Sequence, residues 1–520
     1  SDWSSDVCSS DLILALVPPV LAISLAILTK NVIVSLLVSI FVSVTILCGW
    51  NPITGFTTMI NTYMFNALSD STNMQTLFMI VVICGFVRLL SKCGGASAFT
   101  STVTRHIKSR AACETGIWLG GLAIWFTDNG NSMIVGPIFE ALAEKLRVSR
   151  EKFSYILDCT TTPICALIPF IGWGVYTMGL IESELNAAEI TYTSSMEVFV
   201  QGIPLNFYAI LTLAMAGLMA ITQWDFGPML KAQNRSMLTG KTIRDGGEPM
   251  RSLDETDILP ENYQPKLSTM LIPLAVVLII IFSYLTINGL WHTKVPGSVI
   301  RTGVASGFLV ASFVLTGLCV KEKIFSFQKC LDIWMEGASG MMFMCIILVL
   351  SWTLSGISSD IGTAAYLVSI SKDYLDPAIL PFLVFLLGAV LSFATGTSWG
   401  TMAILYPIAM PIAINFGVAL PLMSSAIVSS AIFGDHCSPI SDTTIMASIG
   451  AGSDHIDHFE TQMPYAVVCA SVVAVMLLLT NLIQSKAILL IGGFIVLSVI
   501  VFILHKASVK KYGVVKAPGG

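Results

Sequence analysis

Apolar runs of about 20 residues recur from one end of this 520-residue chain to the other, and each is long enough to cross a hydrocarbon core of about 30 Å. Read between their polar or basic borders, they place crossings near residues 13–29, 31–49, 74–91, 154–182, 202–224, 268–289, 298–320, 338–356, 420–450, 463–484 and 487–505. Only 11% of the residues are charged, against about one quarter in a soluble domain, so the expected fold class is an all-α polytopic membrane protein. Twelve cysteines include no CxxC pair and fall mostly inside apolar runs, where they read as small hydrophobes and not as a disulfide framework. The first twelve residues, SDWSSDVCSSDL, are polar, in contrast to the apolar stretch that begins at residue 13, and read as a sequencing scar. That apolar stretch lacks a basic lead and a small-residue cleavage site, so a cleaved secretory signal is not expected.

Two more apolar regions do not fit as simple crossings. Residues 112–126 and 131–144 are separated by Thr127-Asp128-Asn129-Gly130, and residues 378–394 and 401–416 by Thr395-Gly396-Thr397-Ser398-Trp399-Gly400. Limbs of about 15 residues fall short of a span. Basic residues flank the first region on both sides, with Arg105, Lys108 and Arg110 before it and Lys145, Arg147, Arg150 and Lys152 after it. Lys and Arg mark the cytoplasmic side, so this region reads as a re-entrant hairpin. Alternation then puts residues 49–73 and 183–201, which carry no Lys or Arg, outside. It puts the loop 225–267 and the tail with Lys506, Lys510, Lys511 and Lys516 inside, and leaves Lys294, Arg301, Lys372 and Lys486 outside. The N-terminus is thus expected outside and the C-terminus in the cytoplasm.

On this scheme the second hairpin enters from the outside. Residues 13–224 and 268–484 become an inverted repeat of two halves, each with five spans and one re-entrant hairpin. Residues 225–267 form a cytoplasmic linker, and residues 485–520 add a C-terminal span and tail. Such a plan is found in secondary transporters, with the site at the repeat interface. The alternative is that both regions are ordinary spans with a polar kink.

Irregular backbone at membrane depth is tolerated only where protein or a water-filled cavity satisfies it. The hairpin tips are rich in oxygen donors: Thr127, Asp128, Asn129, Asn131 and Ser132 in the first, and Thr395, Thr397, Ser398 and Thr401 in the second. Small hard cations prefer such ligands. The crossing after each hairpin also carries an acid, a short polar run and a proline: Asp158, Thr161, Thr162 and Pro163, then Asp435, His436, Ser438, Pro439 and Asp442. Proline interrupts the helical ladder and frees carbonyls near the acid. A charged carboxylate inside a bilayer needs a partner or a proton, so a proton and a metal cation would compete at Asp128, Asp158, Asp435 and Asp442. Capping of helix breaks is the structural reading of any one of them.

His436 fits a proton relay or plain packing. Asp454-His455-Ile456-Asp457-His458 has no framework of metal-ligand spacing and falls at the end of a span. Arg88 is expected to snorkel to the surface, and Glu140 is a candidate cavity-facing acid or an interfacial one. Trp125, Trp173 and Trp399 would suit an organic pocket or lipid contact equally. No P-loop, dinucleotide fingerprint, zincin motif or nucleophile elbow is present, so an enzyme is not expected.

The block FGDHCSPISDTTIMASIGAGSDHIDHFETQMPYA at 433–466 and the block SFATGTSWGTMAILYP at 392–407 resemble the NhaC-type sodium/proton antiporter family of the ion-transporter superfamily. WFTDNGNSMIVGP at 125–137 and DCTTTPICALIP at 158–169 are their first-half counterparts. The resemblance implies a bacterial cytoplasmic-membrane antiporter with Na+ and H+ as substrates, no cofactor and no nucleic-acid partner. It allows a homo-oligomer. Position by position, it implies Asp128, Asp158 and Asp435 as cation or proton carriers, with Asp442 and the polar tip residues as lining. The same family includes exchangers of malate and lactate, so cation-coupled transport of small organic anions or amino acids stays open.

Overall fold

The computed structural model describes residues 14–95, 98, 107–249, 263–289, 297–363, 365–366, 369 and 376–513. The proposed scar, Arg105, Arg251, Lys294, Lys372 and Lys516 lie outside the described residues, as does the side chain of Asn129. Described residues form helices and no named strand, as a lipid environment requires of an open chain that must satisfy its own backbone. They run α1 (Val17–Thr29), α2 (Val32–Leu47), α3 (Pro52–Ser69), α4 (Ser71–Lys92), α5 (Arg110–Ala123), α6 (Asn129–Lys145), α7 (Arg150–Cys159), α8 (Thr162–Cys165), α9 (Gly172–Ala187), α10 (Ser195–Gly202) and α11 (Phe207–Thr222). The series continues with α12 (Gly227–Thr239), α13 (Ser268–Ile287), α14 (Gly297–Lys321), α15 (Phe327–Gly340), α16 (Met342–Ile361), α17 (Leu380–Thr395), α18 (Ser398–Phe416), α19 (Leu420–His436), α20 (Asp442–Ala451), α21 (His455–Leu479) and α22 (Lys486–Tyr512). Among the described residues, nine helices are long and apolar enough to cross a membrane, or up to ten if the bent pair α2–α3 is one span. Exposed apolar side chains such as Ile279 and Phe282 on α13, and Ile491 and Ile495 on α22, form the lipid-facing surface.

Both expected breaks are present. α7 stops at Cys159, Thr161 leaves helical geometry at φ −88, ψ −92, and Pro163 opens the short α8. α19 stops at His436, and α20 restarts at Asp442 with Ser441 accepting a hydrogen bond from Thr444 N. The first hairpin has arms α5 and α6 of 14 and 17 residues, about 21 and 26 Å long.

The second broken region corrects the sequence reading of its limbs. A 3-10 turn at Pro377–Ile379 extends the first arm to 19 residues, and α18 also has 19, so each is long and apolar enough to cross. The polar run is mostly absorbed into helix: Thr397 caps α18, leaving Gly396, at φ +64, and Thr397 as the break. Residues 52–69 and 327–340, expected as connections, are helical as well. Their Thr, Asn, Gly and charged residues diluted the apolar signal, and α3 folds back from α2 by 115°. Within the linker, α12 buries Met229 and Leu230 and packs on α7, α21 and α22.

Among the crossings that join the parts before and after the linker, the second hairpin arm α6 lies on α20, and the later arm α18 lies on α9. Each is a hairpin arm packed on the helix that follows the other break.

Candidate functional site

Polar side chains sew each hairpin to its neighbouring break. Asn131 Nδ2 donates to the carbonyls of Gly121 at 2.7 Å, Ile124 at 3.2 Å and Thr160 at 3.1 Å, joining α5, α6 and the α7 break. In the later region Ser438 Oγ donates to Phe393 O at 2.9 Å, and Ser392 Oγ to Ala431 O at 2.6 Å. The carbonyls of Ile124, Thr160 and Phe393, at helix ends, are thereby partnered, as burial demands.

Asp158 and Asp435 occupy the last turns of α7 and α19, and both are buried. Neighbouring threonines at the start of α20 serve them separately. Thr444 Oγ1 donates to Asp158 Oδ2 at 3.0 Å, and Thr443 Oγ1 to Asp435 Oδ2 at 3.3 Å. Successive residues on a helix point about 100° apart, which lets adjacent hydroxyls reach acids from different halves. Gln462 Nε2 adds a 2.5 Å bond to Asp158 Oδ2, and Ser398 Oγ a 2.7 Å bond to Asp435 Oδ2. The second oxygen of each carboxylate, Oδ1, is buried with no hydrogen-bond partner among the described residues. Asp442, in the first turn of α20, acts electrostatically on Asp435; Asp158 acts on both, and Asp128 on Asp442.

Asp128, at the first hairpin's tip, is half-buried and accepts a 3.1 Å bond from Trp173 Nε1. Trp173 packs on Trp399 from the other broken region, with ring centroids 4.7 Å apart. Both tryptophans line an open cavity of about 400 Å³ together with Thr127, Asp128, Arg88 and Glu336. Arg88 therefore does not simply snorkel: it pairs with Glu336 on α15 and faces this cavity. Trp125 lies outside the lining and packs on Phe126.

A family model for the Na+/H+ antiporter family matches residues 164–482. The chain belongs to the Na+/H+ antiporter family. This antiporter-family chain is 31% identical over 490 residues to an uncharacterized Haemophilus influenzae protein, covering 91% of each. It is 28% identical over 152 residues to the Bacillus subtilis malate-2H(+)/Na(+)-lactate antiporter, covering 29% of this chain and 32% of that one. Over 132 residues it is 33% identical to the Halobacterium salinarum arginine/ornithine antiporter ArcD, covering 25% and 26%. Its fold is similar to that of the Alcanivorax borkumensis YdaH transporter, with a TM-score of 0.56, 12% identity and coverage of 82% and 88%. The protein is a multi-pass membrane transporter of the antiporter type, and the family match contains Asp435, Asp442 and Ser398 but begins after Asp128 and Asp158.

Other residues singled out in the antiporter's sequence are placed less centrally. Thr161 and Thr395 donate back to Leu157 O at 2.7 Å and Leu391 O at 2.9 Å, inside their own helical turns. Ser132 and Thr162 are buried with unpartnered hydroxyl oxygens among the described residues. His436 Nδ1 lies 3.4 Å from Tyr208 Oη, while its Nε2 has no such partner among the described residues. Glu140 pairs with Arg150 at 3.0 Å. In the segment 454–458, Asp454 caps α21, Asp457 pairs with Arg244 at 2.7 Å, and His458 bridges Ser448 at 2.9 Å to Gln462 at 3.0 Å. Among the described residues no cluster of three or more His, Cys, Asp or Glu is arranged to hold a metal ion.

Sequence reasoning passed over Gln462, Thr443 and Thr444. The threonines stood in the block beside Asp442, and Gln462 was an uncharged amide near the start of an apolar run. Nothing in the spacing tells that Thr444 and Gln462 meet Asp158, 286 and 304 positions away, while Thr443 meets Asp435, eight positions away.

Proposed function

We propose that this chain exchanges Na+ for H+ across the bacterial cytoplasmic membrane by alternating access, with cation and proton competing for Asp158 and Asp435. One observation carries the reading: two buried carboxylates are served from the start of α20, Asp435 with one oxygen held by the hydroxyls of Ser398 and Thr443, Asp158 with one held by the Thr444 hydroxyl and the Gln462 amide, and the other oxygen of each unpartnered among the described residues. A charge in that setting requires neutralisation by a proton or a cation. Na+ is a hard ion suited to carboxylate and hydroxyl oxygens, and Ser398, Thr443 and Thr444 supply the latter. Occupancy by one ion removes the charge that attracts the other, which couples the two movements without a separate device. Asp442 and Asp128 extend the negative field along the route. Thr127, Asn129, Asn131, Ser132, Thr161, Thr162, Thr395, Thr397, His436 and Ser438 are the polar lining of the same reading.

The reading treats residues 13–224 and 268–484 as repeats of opposite topology, joined by 225–267 and followed by 485–520. Its support is the parallel order of hairpin, broken helix and acid, together with the reciprocal packing of α6 on α20 and α18 on α9. Rocking of one half against the other would then open the carboxylates to each side in turn. The Lys and Arg distribution orients the N-terminus outside and the C-terminus inside.

A second reading draws on the cavity beside Asp128. Its volume of about 400 Å³, its tryptophan walls and Arg88 suit a small organic anion or amino acid, and two partial relatives carry names of that kind. Everted vesicles separate the two. The first reading expects Na+ addition to collapse an imposed proton gradient; collapse by malate, lactate or arginine and not by Na+ would favour the second.

A further inference from the structure

Three helices end around one small cavity at the end of α9 away from Asp128. Trp173, which binds Asp128, is at the start of α9, and Glu184 lies 11 residues further on, about 16 Å along the axis. The cavity, about 210 Å³, is lined by Glu184 and Ala187 in the last turn of α9, by Ser355, Ser358 and Gly362 at the end of α16, and by Asn415 at the end of α18. A helix C-terminus carries partial negative charge, so the three ends together favour a cation.

Glu184 is 2% exposed, and its Oε2 has no hydrogen-bond partner among the described residues. The nearby Glu182 pairs with Arg301 at 3.5 Å, whereas no described basic group forms an ion pair with Glu184. Ser358 Oγ is likewise buried without a partner, and Ser355 lies beside the carboxylate. A buried acid with a free oxygen, facing a free hydroxyl under three helix C-termini, is an arrangement that a bound cation completes.

We infer that this cavity is a second cation site, in which Glu184, Ser355 and Ser358 bind a small monovalent cation such as Na+. One carboxylate among neutral oxygens matches a single positive charge, whereas divalent ions are held by several carboxylates or by many ordered oxygens. Among the described residues no aromatic side chain lines the cavity, so they do not supply the walls that recognise organic ammonium groups. Its place on the far end of α9 makes it a station on the cation's route to the central carboxylates; this routing rests on the proposed Na+/H+ exchange, while the binding site itself does not.

The test is radioactive Na+ binding to the purified full chain in detergent. The double variant Asp158→Asn, Asp435→Asn is expected to keep one saturable Na+ site, and adding Glu184→Gln to remove it. Ser358→Ala, which deletes only a hydroxyl, is expected to weaken that site about tenfold, the usual order for losing a bond to a charged centre. Binding unchanged by both Glu184→Gln and Ser358→Ala overturns the site, as does a site that titrates a proton and takes no Na+. Glu184-dependent Na+ binding in a wild-type chain that shows no exchange would refute the exchange and leave the site standing; exchange without Glu184-dependent binding would do the reverse.

Discussion

Asp435→Asn is expected to reduce Na+-driven proton movement about 100-fold or more, the effect of losing a charged contact worth about 3 kcal/mol. Asparagine preserves the volume and can still accept the Ser398 hydrogen bond, so the break between α19 and α20 is expected to survive. What disappears is the charge that either ion must neutralise. Asp158→Asn is expected to act similarly, because Thr444 and Gln462 hold that carboxylate through one oxygen as Ser398 and Thr443 hold Asp435. Fluorescence dequenching in everted vesicles reads the exchange, and melting of the purified protein checks the fold. Exchange within a few-fold of wild type in a folded Asp435→Asn variant would remove Asp435 from the mechanism.

The second large effect concerns the contact that carries the threonines to the acids. α6 crosses α20 with backbone against backbone: a Cβ on Gly136 would collide with the Gly450 carbonyl, and one on Gly450 would stand 3.3 Å from Ser132 Cβ. Ser132 and Gly136, one turn apart, thus form the small face that lets two membrane helices approach closely. Gly136→Val puts three carbon atoms where none fits and is expected to cost about 3 kcal/mol, at the upper end of overpacking penalties. The expected readouts are a lower melting temperature in detergent and a loss of exchange, since α20 can no longer present Thr443 and Thr444 correctly. Gly317→Val is the control, because nothing lies within 4 Å of a Cβ there. Equal stability of the two variants would show that the crossing is not tightly packed.

Much of this architecture is written in local chemistry. Pro163 and Pro439 mark breaks that the structure contains, and the limbs around Thr127-Asp128-Asn129-Gly130 correspond to two separate helices, α5 and α6. The later region misled because hydropathy counts side chains and not backbone: Thr397 capping drew Ser398, Trp399 and Gly400 into helix. Helices at 52–69 and 327–340 escaped for a related reason, being polar enough to resemble loops. Side-chain partners were less legible still. Arg88 looked interfacial until Glu336 on α15 was placed opposite, and Glu184 stood in a stretch assigned to the outer loop. Such pairings depend on how distant helices cross, which periodicity does not encode.

The claim at the centre is that one ion excludes the other from the same buried carboxylates. Solid-supported-membrane currents from proteoliposomes, recorded over a range of Na+ concentrations at successive pH values, test it most directly. Competition predicts that half-saturating Na+ rises about tenfold for each unit of acidification in the range where the carboxylates hold protons, with the maximal current recovered at high Na+. A half-saturating Na+ concentration that does not move with pH would contradict the account.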